Sequence, residues 1–212
     1  MALAVFAAVL LEDIVPSAAL RSLLIFIVPM LCAGFIHLDG FMDVNDAVLS
    51  RRGIEERQRI LKDSSIGAFA VITTVMLMIS YFAAIEALLD YGSDLALGPF
   101  LIIPVISRGL SGLDVLTRRK IEVSQYAKTQ APTKAEIAAL FIQLVIYLIA
   151  AMAISHSLWW TVLVVLAAEA VSILCFGTYA RKSLGGMNGD IAGYEIVMAE
   201  VFGLIALAVV GV

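Results

Sequence analysis

Charge is scarce in this chain. Only 15% of its 212 residues are Asp, Glu, Lys or Arg, where a soluble domain carries about a quarter. Cysteine is nearly absent as well: Cys32 and Cys175 both lie in apolar runs, with no CxxC-type spacing. That excludes a disulfide scaffold and a thiolate metal knuckle, and leaves two small core residues. The opening stretch "MALAVFAAVLL" has no basic flank and no small-residue cleavage site, so it does not read as a signal peptide. No internal repeat or low-complexity linker divides the chain, and one membrane-embedded domain over residues 1–212 is expected.

What is abundant is apolar surface. With 62% hydrophobic residues and a mean hydropathy of +1.01, the excess is too large to hide in one core, so the bilayer must solvate much of it. Apolar runs predict spans near residues 21–37, 65–89, 98–116, 137–154, 158–180 and 191–212. The fold expected is an all-α polytopic bundle of about six to seven transmembrane helices. The 11-residue opening stretch would reach only ~16 Å as helix, short of the ~30 Å hydrocarbon core, and is expected to be the end of a shortened first span.

The connectors alternate in charge. "SRRGIEERQRILKDSS", "TRRKIEVSQYAKTQAPTKAE" and "ARKSLGGMNGD" are basic, whereas "DYGSDLALG" and "SHSLWW" contain no Lys or Arg. The positive-inside rule then puts residues 38–64, 117–136 and 181–190 on the cytoplasmic face, with Trp159 and Trp160 anchoring the other. Most of the polar chemistry lies in those three connectors.

The first holds "HLDGFMDVNDA". If residues 39–47 are helical, Asp43 stands about 40° to one side of Asp39 and Asp46 about 20° to the other, so three carboxylates share one stripe. A lone Asp there would merely solvate a helix end, but three in register repel unless a cation joins them. Oxygen-only donors in small number suit Mg²⁺, which takes its remaining ligands from water and substrate phosphates. His37 points about 160° away if the helix already includes it, and joins the site only if the helix starts at 38 or 39; Asp39 would then also serve as N-cap.

Further along, Glu55, Glu56, Arg59, Lys62 and Asp63 have the spacing of an amphipathic surface helix with i,i+3 or i,i+4 pairs. They equally allow Arg59 and Lys62 to face a diphosphate while Asp63 completes a metal site. Arg108, inside an apolar run, costs on the order of 2.5–3.5 kcal/mol to insert and therefore faces protein, water or ligand. Its partner would be Asp114 if the helix bends at Gly109 or Gly112. Glu86 and Glu169, near the outer ends of their spans, read as solvated or paired structural groups. "LGGMNGDIAGYE" supplies a glycine-rich turn before the last span, with Asp190 as cap or metal ligand.

Taken together, "HLDGFMDVNDA", "RILKDSSIGAF", "SRGLSGL" and "LGGMNGDIAGY" resemble the cobalamin synthase (adenosylcobinamide-GDP ribazoletransferase) family, in order, over about residues 36–200. The family's HxDGxxDxxD pattern falls on His37, Asp39, Gly40, Asp43 and Asp46; its R-x-x-KDS-x-x-G element falls on Arg59, Lys62, Asp63, Ser64 and Gly67. Its membrane arginine matches Arg108, and a less fixed basic position matches Lys128. Its GGxTGDxxG element falls on Gly185, Gly186, Gly189, Asp190 and Gly193, with Asn188 in place of the usual Thr and Glu200 at a later acidic position. A Thr-Arg-x-Pro-like element that usually precedes the first basic loop has no counterpart here.

The resemblance implies an integral membrane enzyme of the prokaryotic cytoplasmic membrane that uses Mg²⁺. It would join adenosylcobinamide-GDP to α-ribazole or its 5′-phosphate and release GMP. Expected roles are metal ligation for Asp39, Asp43, Asp63 and Asp190, and proton transfer for Asp46 or His37. Arg59, Lys62 and Arg108 would steady phosphate oxygens, and Lys128, Ser64, Gly185, Gly186 and Gly189 would contact substrate. The two substrates and the lipid bilayer are the partners; no nucleic acid is expected, and a homo-oligomer is compatible with the pattern. A CDP-alcohol phosphotransferase also uses an acidic helix, but its Ala-Arg pair and wider Asp spacing are missing. A transporter would more often place its charges at the midplane on broken helices of repeated halves.

Overall fold

In a computed structural model of the chain, residues 15, 17–90, 97–121, 132–155 and 158–210 are described. They form helices α1 (Ala18–Cys32), α2 (Ile36–Leu49), α3 (Ile54–Ile60), α4 (Ala68–Asp90), α5 (Leu97–Thr117), α6 (Lys134–Ile154), α7 (Trp159–Ser172), α8 (Thr178–Leu184) and α9 (Gly189–Val209), with a π-helical stretch at Ile173–Gly177 joining α7 to α8. No strand occurs among the described residues; one isolated bridge pairs Lys120 with Met187.

The protein is an all-α, polytopic membrane bundle. Five stretches are long and apolar enough to cross a bilayer: Ala68–Leu89, Pro99–Thr117, Lys134–Ile154, Trp159–Leu184 and Gly189–Val209. The pair α1–α2 makes a sixth if the two are one broken span. The expected span over 21–37 is in fact interrupted: α1 and α2 meet at 88°. The cause is local, since Gly34 and Phe35 both adopt left-handed backbone (φ 60° and 59°), which no right-handed helix passes through. The opening stretch 1–11 lies outside the described residues.

α9 is the post around which the rest assembles. It packs against α2, α4, α5 and α7, and 61% of its span is buried, whereas α6 is only 11% buried and shows its apolar face to lipid. Close approach of α2 to α9 depends on Gly40 and Gly193. A Cβ on Gly40 would lie 2.7 Å from the Asp190 carbonyl oxygen, and one on Gly193 would lie 3.0 Å from that of His37. Sequence therefore dictates that the first acidic helix and the start of the last span touch backbone to backbone.

Candidate active site

α2 sorts its residues by face. Leu38, Phe41, Val44, Ala47 and Val48 are buried against the bundle, which leaves Asp39 exposed and Asp43 half-buried on the opposite stripe. The helix begins at Ile36, so Asp39 is a first-turn residue rather than the N-cap, and His37 is turned away from the acids. Asp190 comes in from the first turn of α9, and the charges facing Asp43 are those of Asp39, Asp190 and Asp46. Asp39 and Asp43 make no hydrogen bond or ion pair with any described residue. Asp190 accepts a hydrogen bond of 2.7 Å from the Asn188 side chain.

Asp46 has a different fate. Its two carboxylate oxygens accept the N–H groups of Gly67 and Ala70, the latter at 2.9 Å, so it caps α4 from another helix and supplies the negative charge that a helix N-terminus favours. A Cβ on Gly67 would overlap that carboxylate. Asp46→Ala is therefore expected to cost about 1 kcal/mol of stability, the usual worth of a cap, read as a lower thermal midpoint. An unchanged midpoint would mean that the cap carries no weight.

The connector between α3 and α4 is exposed. Asp63 accepts the Ser65 N–H at 3.0 Å, and its hydrogen bonds to Ser65, helped by the nearby Arg59 charge, hold its carboxyl below the usual range. It shares a shallow recess of about 290 Å³ with Asp46 and is not among the carboxylates whose charge acts on Asp43. Lys62 and Ser64 are exposed beside it. Of the pairings the spacing allows, with Glu55, Glu56 or Asp63, Arg59 takes Glu56, at 2.8 Å. Arg57 and Gln58 donate to the Ser183 and Leu184 carbonyls, at 3.3 and 2.8 Å, and so fasten α3 over the end of α8.

α8 ends at Gly185 in left-handed backbone (φ 83°), and the Gly186 N–H returns to the Arg181 carbonyl at 3.0 Å. Gly186 lies tight against the Arg119–Ile121 backbone, which Met187 bridges in both directions, at 2.8 and 3.0 Å. The Asn188 side chain then caps α9 by accepting the Ile191 N–H at 2.9 Å. Gly189 is the first residue of α9. Lys128 lies outside the described residues.

Arg108 does not pair with Asp114. Its Nη1 donates to Glu200 of α9 and, at 3.1 Å, to the Pro104 carbonyl, while the Ser107 hydroxyl also reaches Glu200 at 3.3 Å. Asp114 is taken by Arg118, at 2.9 Å, and by Arg181. Arg181 also binds Glu195, which accepts the Ser111 hydroxyl at 3.1 Å. This buried cluster ties α5, α8 and α9 together, and Gly177 of the π-helical stretch leaves the room it needs. Charge counting along connectors treats Arg181 as a surface cation and misses it. The usable signal is that Asp114 and Glu195 interrupt apolar runs, where an unpaired acid is costly. Glu169, by contrast, is fully buried between α7 and α9 with neither oxygen hydrogen-bonded.

A family model described as cobalamin-5-phosphate synthase matches residues 1–208. The chain belongs to the cobalamin-5-phosphate synthase family. Among curated relatives, the adenosylcobinamide-GDP ribazoletransferase of Clostridium perfringens (strain SM101 / Type A) is 36% identical over 191 residues, covering 90% of this chain and 75% of that one. That of Clostridium botulinum (strain Alaska E43 / Type E3) is also 36% identical, over 89% of this chain and 73% of its own. A shorter stretch of 68 residues is 52% identical to the same-named protein of Halalkalibacterium halodurans, covering 32% of this chain and 24% of that one. No solved structure matches significantly. Within this cobalamin-5-phosphate synthase family chain, Asn188 replaces the Thr of the resembling motif without loss of the cap, because both side chains offer an oxygen to the helix N-terminus.

Among the described residues no three His, Cys, Asp or Glu groups converge tightly enough to cage a metal ion. A closed cage is not what Mg²⁺ requires: it keeps several waters and is commonly held by one or two carboxylates plus substrate phosphates. Asp39 and Asp43, one helical turn apart on α2, near Asp190 in charge and without an ion pair among the described residues, have the donor chemistry for such an open site.

Proposed function

We propose that this protein is an adenosylcobinamide-GDP ribazoletransferase of the prokaryotic cytoplasmic membrane, joining adenosylcobinamide-GDP to α-ribazole or its 5′-phosphate with release of GMP. The observation that carries the chemistry is the set of neighbouring carboxylates on α2 and α9, of which Asp39 and Asp43 form no ion pair with a described cation. Asp39, Asp43 and Asp190 would hold Mg²⁺, which when bound would offset the charge of the diphosphate. Asp63, from the neighbouring connector, is outside this set.

A hydroxyl oxygen of ribazole attacks the phosphorus attached to cobinamide, the bond from that phosphorus to the GMP oxygen breaks, and GMP leaves. Such a transfer depends on positioning and charge neutralisation more than on covalent help from the protein. Arg59 and Lys62, exposed at the same connector, orient phosphate oxygens. Asp46 is committed to two amides and His37 is turned away from the acids, so the proton-transfer role expected of Asp46 or His37 finds no placed group at the carboxylate face among the described residues. By the positive-inside rule the basic connectors face the cytoplasm.

Purified protein in lipid nanodiscs should release GMP with a saturable dependence on Mg²⁺, fall to background in EDTA and recover when Mg²⁺ is restored. Undiminished release in EDTA would contradict the metal assignment.

A further inference from the structure

A different face of α2 borders a groove that has no part in the carboxylate site. Phe41, Asn45 and Val48 line it, and at about 100° per residue all three stand roughly 120° or more round the helix from Asp39 and Asp43. α4, the π-helical stretch, α8 and α9 complete the walls around about 480 Å³. Met76, Ser80 and Tyr179 line it and are exposed, so the groove is open along its side. It lies between stretches long and apolar enough to cross the bilayer, where hydrocarbon is the solvent.

The walls make little polar demand. Asn45 donates to the Phe41 carbonyl at 2.8 Å, Thr73 to that of Phe69 at 2.7 Å and Ser80 to that of Met76 at 2.9 Å, so each is engaged by the backbone of its own helix. Apart from the phenols of Tyr179 and Tyr194, the rest of the lining is apolar. Along α9 the wall runs from Tyr194 to Ile205, about 16 Å of helix, or roughly half of the ~30 Å hydrocarbon core. α9 starts at a connector that the positive-inside rule puts in the cytoplasm, so this half is the cytoplasmic leaflet.

Cations stand at the cytoplasmic end. Beyond Leu49, which lines the groove, the chain runs through Ser50 to Arg51 and Arg52. Lys182 follows Tyr179 by three residues on α8 and so shares its side of the helix. The hydrogen bonds of Arg57 and Gln58 to Ser183 and Leu184 hold the Arg51–Arg52 connector beside α8. All three cations are exposed, and none forms an ion pair with a described residue. The exposed Tyr179 ring beside them is of the kind that settles at headgroup level.

We infer that this groove binds an anionic phospholipid of the cytoplasmic leaflet. One acyl chain lies along α9 between α2 and α4, and the headgroup phosphate sits with Arg51, Arg52 and Lys182. A helix of a second copy does not fit: spread over that length, the volume leaves a cross-section far below that of a helix, about 10–12 Å across. A nucleotide would leave the polar edge of its base unpaired against the walls. A zwitterionic lipid matches the walls equally well but brings no net charge to the cations, each of which is worth about fivefold beside an anionic surface.

The test is native mass spectrometry of the full chain, released from nanodiscs of equal phosphatidylglycerol and phosphatidylcholine with matched acyl chains. Wild-type protein is expected to retain a lipid and to prefer phosphatidylglycerol about tenfold or more. Replacing all three cations, by Arg51→Gln, Arg52→Gln and Lys182→Gln together, should bring that preference within about twofold while a lipid stays bound. Ser80→Trp, which fills the groove from its exposed side, should remove the retained lipid itself, and Thr73→Phe serves if the Trp variant does not fold. A wild type without preference, a preference that survives loss of the three cations, or a folded groove-filled variant that keeps its lipid would overturn the proposal. A folded groove-filled variant that changes its oligomeric state instead of losing lipid would give the groove to a second copy and overturn it as well.

Discussion

Asp43→Asn is expected to lower GMP release by at least about 100-fold, the scale on which removing one preorganised charge-stabilising group acts. The same change should leave thermal stability unchanged or raise it. Asn fills the space of Asp, and it removes one of the like charges that Asp39, Asp190 and Asp46 now face. Activity and stability moving in opposite directions is the signature of a group kept for function at a cost to the fold. A variant that keeps turnover would remove Asp43 from the site. A variant that loses turnover and stability together would make it a structural residue.

Arg181→Met should be the most damaging substitution for the fold. It leaves Asp114 and Glu195 without their shared cation in a largely buried site, and breaking such a buried pair costs about 3–5 kcal/mol. A chemical or thermal melt in detergent reads the loss directly. Pairing the change with Glu195→Gln removes the stranded charge and should recover part of the stability, whereas adding Glu200→Gln, which belongs to the separate Arg108 pair, should not. If Arg181→Met melts like the wild type, the cluster contributes nothing and α8 is held to α9 by apolar packing alone.

Much of the site was legible in the sequence for a simple reason. A hydrophobic chain leaves few places for charge, so three Asp residues at helical spacing stand out, and a helix over residues 39–47 does put them on one stripe. The alternation of basic connectors and apolar runs likewise corresponds to a membrane bundle. What could not be read is pairing across helices. Asp46 looks equivalent to Asp39 and Asp43 by angle, yet it caps α4, because only the folded connector brings Gly67 and Ala70 to it.

Arg108 and Asp114 are neighbours in sequence, but six residues place them on different faces, and each finds its partner on another helix: Glu200 for one, Arg181 for the other. The bend between α1 and α2 is written in Ala33–Gly34–Phe35, but a hydropathy window averages over it. His37 follows from the same feature, since the helix starts before it and turns it toward a cavity lined by Arg108 and Glu200 rather than the acids.

The most direct test of the central claim is to identify what leaves and what forms. Purified protein would be incubated with adenosylcobinamide-GDP, α-ribazole 5′-phosphate and Mg²⁺, and the products resolved by mass spectrometry. The account predicts GMP and a corrinoid carrying the ribazole phosphate in equal amounts, with neither formed by Asp43→Asn. Release of GDP or inorganic phosphate, or GMP without the joined corrinoid, would contradict attack at the cobinamide phosphate and with it the role given to the carboxylates of α2.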